Sequence, residues 1–423
     1  MTKLLKKQKT ILAYILVILV SSALFIYNFI NISNLNLNNK DNLAAYNYRI
    51  SVIIWLCSTA LSILIPCLII FSGISQKIIS KIEYRISNKY ISAFVFYLCY
   101  TIINFILYFP FYLLGGYFKN HILHLSNLNF IQWIALELKY LIINGLIEAL
   151  TVTGIFFIIN ISKKRWWYIV SLIAIPYIIF STLLYPVFMD PIFNKFTPMT
   201  NKNLEQKILS LAEKCNVNNL NIYVVDKSKE TNTMNAYMTG LFNTKRIVIW
   251  DTTLKNMNDR EVLFTTAHEL GHYVLGHIPK SIALGCIGVF IILFIANKLV
   301  NIIIKTYGSK IGIKSIYNIS VIPLFVVILN IIMLFSDPIS NAYSRHVELE
   351  ADKFALEITH DSDAAKSSEI KYLKGNLSVY DPGLIYKIFN YDHPTVKERM
   401  ELYDNYKPWE KNEKTKFQNY YKK

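Results

Sequence analysis

Apolar residues in this chain fall into seven long runs, separated by short polar connections and two larger polar regions. The runs lie near Ile11–Asn31, Arg49–Ser72, Tyr90–Leu114, Tyr140–Asn160, Trp167–Tyr185, Ser281–Ile304 and Ile316–Phe335. A bilayer crossing takes roughly 20 residues of helix, and each run supplies about that many. The first has basic residues ahead of an apolar stretch, as a signal peptide has. Its length and the lack of a small-residue cleavage site predict a retained helix instead. The first polar region, Pro186–Lys280, opens with Pro186, Pro191 and Pro198, which predict an irregular passage out of the membrane. Asn203–Cys215 reads as an amphipathic helix, and the Ile- and Val-rich segments Leu220–Val225 and Arg246–Asp251 read as strands. Asn258–His277 reads as a helix running almost directly into the sixth span. The second polar region runs from Asp337 to the end. The pattern predicts a mainly α integral membrane protein in two parts. Residues 1–185 carry five spans. Residues 186–423 form a small α+β domain that includes two further spans, about 281–304 and 316–335.

Composition agrees with that class. Of the 423 residues, 53% are hydrophobic and only 17% are charged, against about 25% in a soluble protein. The five cysteines are Cys57, Cys67, Cys99, Cys215 and Cys286, and all but Cys215 lie in apolar runs. They form neither a disulfide framework nor a C-x-x-C metal site. The net charge of +16 is spread over Lys/Arg clusters beside the spans, so membrane flanks explain it and no nucleic-acid partner is expected. Those clusters are uneven. Lys3, Lys6, Lys7 and Lys9 precede the first span. Lys77, Lys81, Arg85 and Lys89 fill the second connection, Lys163, Lys164 and Arg165 the fourth, and Lys305, Lys310 and Lys314 the sixth. The first and third connections hold few: Lys40 and Arg49, then Lys119 and Lys139. The positive-inside rule therefore puts the N-terminus and the even connections in the cytoplasm, and both polar regions with the C-terminus on the opposite side.

The chemistry is concentrated in His268-Glu269-Leu270-Gly271-His272, an H-E-x-x-H pattern in a helix-compatible stretch. Histidines four residues apart share one helix face, one turn apart, so both imidazoles can reach one metal ion. Glu269 stands beside the first ligand, where its carboxylate can take a proton from a water at the metal. This is the equipment for zinc-dependent hydrolysis of a peptide bond, with one Zn2+ per chain.

Such a site needs a third protein ligand. A metzincin pattern would place Gly at position 275 and His at position 278, where Leu275 and Ile278 stand, so that pattern is rejected. His277 reads as a helix-end or packing residue. A downstream glutamate is the alternative, and Ser344–Ala355 offers candidates. On a helical wheel Val347, Ala351, Phe354, Ala355 and Ile358 form an apolar arc. His346, Glu350, Lys353 and Glu357 form the opposite, solvent-facing arc. Glu348 falls at the border of the apolar arc and can point to a metal. Asp352, one turn on, is placed to hydrogen-bond a ligating histidine. Arg345, one turn before Glu348, can pair with one of these acids.

In order along the chain, Phe193-Asn194-Lys195-Phe196-Thr197-Pro198, Asn235-Ala236-Tyr237-Met238-Thr239-Gly240, Lys245-Arg246-Ile247-Val248 with Asp251-Thr252, the H-E-x-x-H segment, Ser344-Arg345 through Glu348 to Ala351-Asp352, and Tyr391-Asp392-His393-Pro394 with Arg399 form a set. This set resembles the membrane-embedded metalloproteases that include the type I CAAX prenyl endopeptidases and, more distantly, the HtpX-like gluzincins, with a bacterial-type member the nearest in look. The resemblance implies His268, His272 and Glu348 as zinc ligands and Glu269 as general base. It also implies a helical membrane barrel around a large chamber. Localisation would be a multi-pass membrane protein, in the plasma membrane of a bacterium or the endoplasmic reticulum of a eukaryote. The eukaryotic CAAX enzymes imply a zinc site facing the cytosol, against the charge count above.

Other residues carry two readings each. Asn235, Ala236 and Tyr237 resemble an edge strand that pairs with an extended substrate, or form a turn without ligand contact. His393 stabilises an oxyanion, or only fixes the chain near Pro394. Glu148, alone in the fourth span, lines a polar interior or pairs with a neighbour. The expected partners are a peptide or protein substrate and membrane lipid. Competing functions are a membrane quality-control protease and a non-catalytic scaffold on the same fold, which would predict a broken motif. A zinc transporter would need His or Asp pairs in several spans, and apart from Glu148 the spans lack such groups.

Overall fold

The computed structural model describes residues 40–183, 185–240 and 244–422. The expected first span, Ile11–Asn31, lies outside the described residues. Among the described residues six helices are long and apolar enough to cross a membrane.

Helix α1 (Lys40–Phe71) leads through α2 (Ile74–Arg85) to α3 (Lys89–Phe111). After a π-helical stretch, Tyr112–Phe118, comes α4 (Phe130–Ile161), then α5 (Trp166–Leu183) and α6 (Tyr185–Phe193). Strand β1 (Phe196–Pro198), α7 (Lys202–Lys214), β2 (Asn221–Val225), β3 (Ala236–Thr239) and β4 (Arg246–Trp250) follow. Then come α8 (Asp259–Val274), α9 (His277–Ile311), α10 (Ile322–Thr359), α11 (Ser362–Gly375), α12 (Leu384–Asn390) and α13 (Val396–Asn405).

The starts of these helices follow local chemistry. Asn88 caps α3 by accepting from the Tyr90 and Ile91 N–H groups. Asn129 with Gln132 builds a capping box on α4, and Asn258 with Glu261 does so on α8. The single helix expected over Asn258–His277 is instead two. Gly276 takes a left-handed φ of 66°, ending α8 and letting α9 set off from His277. The irregular passage expected after Pro186 is mostly the short helix α6, with Pro191 inside it. One missing N–H in so short a helix costs one bond and leaves its remaining turn intact.

The six spanning helices close on themselves. α1 packs on α3, α3 on α4, α4 on α5, α5 on α9, α9 on α10, and α10 again on α1. This ring is the helical barrel that the resemblance implied. At one pole three connections meet. The Gln76 side chain donates to the Ile311 carbonyl at 2.9 Å, Ser75 Oγ donates to the Ser320 carbonyl at 3.2 Å, and Lys163 lies over the Tyr317 ring. The Lys/Arg-rich second, fourth and sixth connections are therefore gathered there.

The other pole carries the α+β part. Its four strands run in the order β1-β2-β4-β3, with β2 parallel to β4 and the other neighbours antiparallel. β3 is an edge strand. The sheet shares a core with α8 and α10, in which Ile247, Ile249, Ala267, Leu270, Phe354 and Ala355 are fully buried. α10 is the largest departure from expectation. The seventh span and the Glu348 segment form one helix of 38 residues, uninterrupted at Asp337 or Pro338. At 1.5 Å per residue Glu348 lies about 39 Å along the axis from Ile322, beyond a hydrocarbon core of about 30 Å. A membrane helix thus carries a site residue out into the polar domain.

Candidate metal centre

α8 presents His268 and His272 one turn apart, and α10 presents Glu348 opposite them. The His268 and His272 Nε2 atoms are 3.1 Å apart. Glu348 Oε2 lies 3.2 Å from His268 Nε2, and its Oε1 lies 3.2 Å from His272 Nε2. One ligand atom from each residue falls within 4.8 Å of the others. Gly271 makes this approach possible: a Cβ there would sit 3.3 Å from Ala351 Cα and 3.1 Å from a Phe354 ring carbon.

The outer ring nitrogens are also engaged. His268 Nδ1 lies 2.8 Å from Asp352 Oδ1. His272 Nδ1 lies 3.0 Å from Nδ1 of His277, whose Nε2 is 3.6 Å from Glu350. Such partners set tautomer and ring direction in a metal site. Burial disfavours charge on His268, yet the Asp352 and Glu348 carboxylates outweigh it and push its pKa up to about 10. Two imidazoles and one carboxylate, each with a free ligand atom facing the others, fit a tetrahedral zinc ion that keeps one position open.

Glu269 is partly buried beside this triad and accepts a hydrogen bond from the Met238 N–H on β3. Burial raises its pKa above the ordinary carboxylate range, while the two histidines pull it back. A cavity of about 350 Å3 opens over these groups, with Asn235, Ala236, Glu269, Tyr372 and His393 in its wall. Asn235 is fastened by the Thr253 hydroxyl, which accepts from its N–H at 2.9 Å and donates to its carbonyl at 2.8 Å. His393 sits at the rim, with Nε2 3.4 Å from Glu348 and Nδ1 2.8 Å from Asp392. Burial works against charge on His393, but Asp392 and Glu348 raise its pKa. Tyr237 lines a second, neighbouring cavity and donates to Asp190 at 2.6 Å.

Three expectations change. Among the described residues Arg345 pairs with no acid. It donates to the Lys387 and Tyr391 carbonyls, the latter at 2.5 Å, and so holds the segment leading to His393. Glu357 is not on a solvated face. The C-terminal segment folds over it, and it accepts from Tyr406, Lys416 N and Phe417 N. His277, expected to end a helix or to pack, instead begins the next helix and contacts a site histidine. Arg399, present in the pattern without a role, reaches Glu348 at 2.9 Å, Asp352 at 3.2 Å and Glu369 at 3.2 Å. Its place six residues after His393 was the only signal available.

Comparison with known proteins agrees with this architecture. Residues 198–406 match peptidase family M48, and residues 36–195 match the CAAX prenyl protease N-terminal region of five membrane helices. The uncharacterized metalloprotease YhfN of Bacillus subtilis (strain 168) is 31% identical over 333 residues, which are 79% of this chain and 78% of that protein. A CAAX prenyl protease 1 homolog of Dictyostelium discoideum is 32% identical over 59% of this chain and 58% of its own length. The crystal structure of S. mikatae Ste24p superposes with a TM-score of 0.75 at 22% identity, covering 95% of this chain and 99% of that one, and so shares the fold. The chain belongs to peptidase family M48 and is a multi-pass membrane metalloprotease.

Proposed function

We propose that the metal is zinc, held by His268, His272 and Glu348, and that the protein cuts peptide bonds of polypeptides entering the membrane chamber. The observation that carries this reading is the convergence of three ligand atoms within 4.8 Å beside Glu269. A zinc ion bound there supplies a Lewis acid for the scissile carbonyl and favours ionisation of water. Glu269, made more basic by burial, takes the proton from the attacking water and returns it to the leaving amine. The open edge of β3, near Asn235 and Ala236, binds the substrate backbone as an added strand, with Tyr237 at its continuation. His393, at the rim, donates to the oxyanion that forms on attack. Asp352 orients His268, and Arg345 positions the His393 segment. In this reading residues 1–185 are the membrane part and residues 186–423 the catalytic part.

The test is Glu269→Gln in purified protein. Zinc content should match the unmodified protein while peptide hydrolysis falls to background; unchanged turnover would sink the assignment. We also infer that the zinc pole faces away from the cytoplasm. The support is the gathering of the basic connections at the opposite pole. A C-terminal tag should then be open to added protease in spheroplasts or sealed right-side-out vesicles, and a protected tag reverses the orientation. The natural substrates, on that orientation, are extracytoplasmic or membrane-proximal polypeptides.

A further inference from the structure

Another cavity lies between α3 and α4, away from the metal ligands. Along α4, Glu137, Leu141, Asn144 and Glu148 recur at intervals of three and four residues and so share one face. Opposite them α3 offers Thr101 and Asn104, and the two helices enclose a cavity of about 240 Å3. Two acidic side chains on a spanning helix are costly toward hydrocarbon, which favours turning this face to the ring's interior. No lysine, arginine or histidine lines the cavity among the described residues. Tyr97 donates to Glu148 at 3.1 Å, and Trp133 hydrogen-bonds Glu137. Neither acid has a cationic partner among the described residues. Thr101 Oγ1 is buried there without a hydrogen bond.

A neighbouring cavity lies toward β3. Tyr140 lines the α3–α4 cavity and also lines this 560 Å3 cavity beneath β3, whose walls include Asp190, Tyr237 and Met238. The lysine in that second wall, Lys227, is paired with Glu230 at 2.9 Å. From β3, Tyr237 and then Tyr140 lead toward a polar cavity that holds two carboxyl groups with no cationic partner among the described residues. Aromatic rings at Phe105, Tyr112 and Tyr140 border that cavity and suit the aliphatic stem of a lysine or the plane of a guanidinium.

We propose that the α3–α4 cavity is a substrate subsite, remote from the scissile bond, that receives a lysine or arginine side chain of the bound polypeptide between Glu137 and Glu148. The proposal rests on the proteolytic reading above, but its test need not. The probe is the full-length Glu269→Gln protein, loaded with zinc in detergent micelles, binding fluorescent peptides of one sequence. The peptides carry Lys, norleucine or Glu at successive positions on either side of the centre. At one position the Lys peptide should bind about tenfold tighter than the norleucine peptide, and the Glu peptide weaker than both. Adding Glu137→Gln and Glu148→Gln should abolish that difference, and Glu148→Asp should restore part of it. Equal binding of the three peptides at every position overturns the subsite, as does a difference that survives the double substitution. If the double variant does not fold, judged by its zinc content and unfolding midpoint, the Lys-to-Glu comparison in the parent protein still decides. Absence of hydrolysis by the unmodified protein, with the binding difference present, would defeat the proteolytic reading alone.

Discussion

Asp352 Oδ1 stands 2.8 Å from Nδ1 of His268, and the same carboxylate's other oxygen is 3.2 Å from Arg399 Nε. His268 on one helix thus meets an acid on a second, which in turn meets a cation on a third.

Asp352→Asn should leave the fold in place but lower metal affinity by about 10–100-fold, the scale seen when such a partner is lost. Competition with a chelator of known zinc affinity measures this. Unchanged affinity would mean that Asp352 does not orient His268.

Arg399 is 13% exposed and faces three acids. Arg399→Met leaves those carboxylates without their cation and should cost about 3–5 kcal/mol, as for a broken buried pair. Arg399→Lys should recover only part, because one ammonium cannot present the planar fork that meets several carboxylates at once. Denaturation midpoints in detergent give the order: parent, then Lys, then Met. Equal midpoints for Lys and Met would show that charge contributes nothing here.

Gly271→Ala tests the close approach of α8 and α10. The added carbon meets Ala351 backbone atoms at 3.3 and 3.4 Å, and backbone cannot move aside as a side-chain tip can. We expect a loss of about 1–3 kcal/mol, as in overpacked cores, with weaker zinc retention because Glu348 rides on the helix pushed away. Full stability together with full zinc occupancy would refute the tight contact.

Glu261, at the start of α8, accepts from Lys371 at 2.6 Å and Ser367 at 2.5 Å. Burial alone would raise its pKa, but Lys371, Ser367 and the Asn258 N–H outweigh it and hold it below the usual carboxylate range. A folded pKa below the unfolded one adds stability that is fully present above the unfolded value, about 4.3, and is lost as pH falls through the folded value. Lys371→Met should therefore cost about 1–3 kcal/mol near neutral pH. That gap should narrow once the pH drops below about 4. Unfolding midpoints measured across pH check this, and a gap independent of pH would exclude the charge as its cause.

How much of this was legible in the chain differs by element. Among the described residues α3 and α5 match their apolar runs to within three residues at each end, α1 and α4 begin nine and ten residues before theirs, and α9 overshoots its run by four and seven. The sixth, α10, continues well past its run, because nothing at Asp337 or Pro338 forces a helix packed on both α8 and α1 to stop. Asn221–Val225 and Arg246–Trp250 match the predicted strands to within a residue. Glu357 was misread, since a helical wheel records which way a side chain points but not that a segment 60 residues later covers it.

By itself the sequence determined the membrane class, the helix carrying two histidines one turn apart, and the acid best aimed to join them. These are properties of local periodicity: 3.6 residues per turn fixes which side chains share a face, whatever else the chain does. Only the tertiary structure decided that Asp352 and Arg399 form one chain of contacts behind His268, that Arg345 secures the His393 segment, and that two acids on α4 share a cavity with α3. Each of those facts is a distance between elements far apart in sequence. No periodicity encodes such a distance; it exists only once the ring of helices has closed and the buried charges have had to find partners.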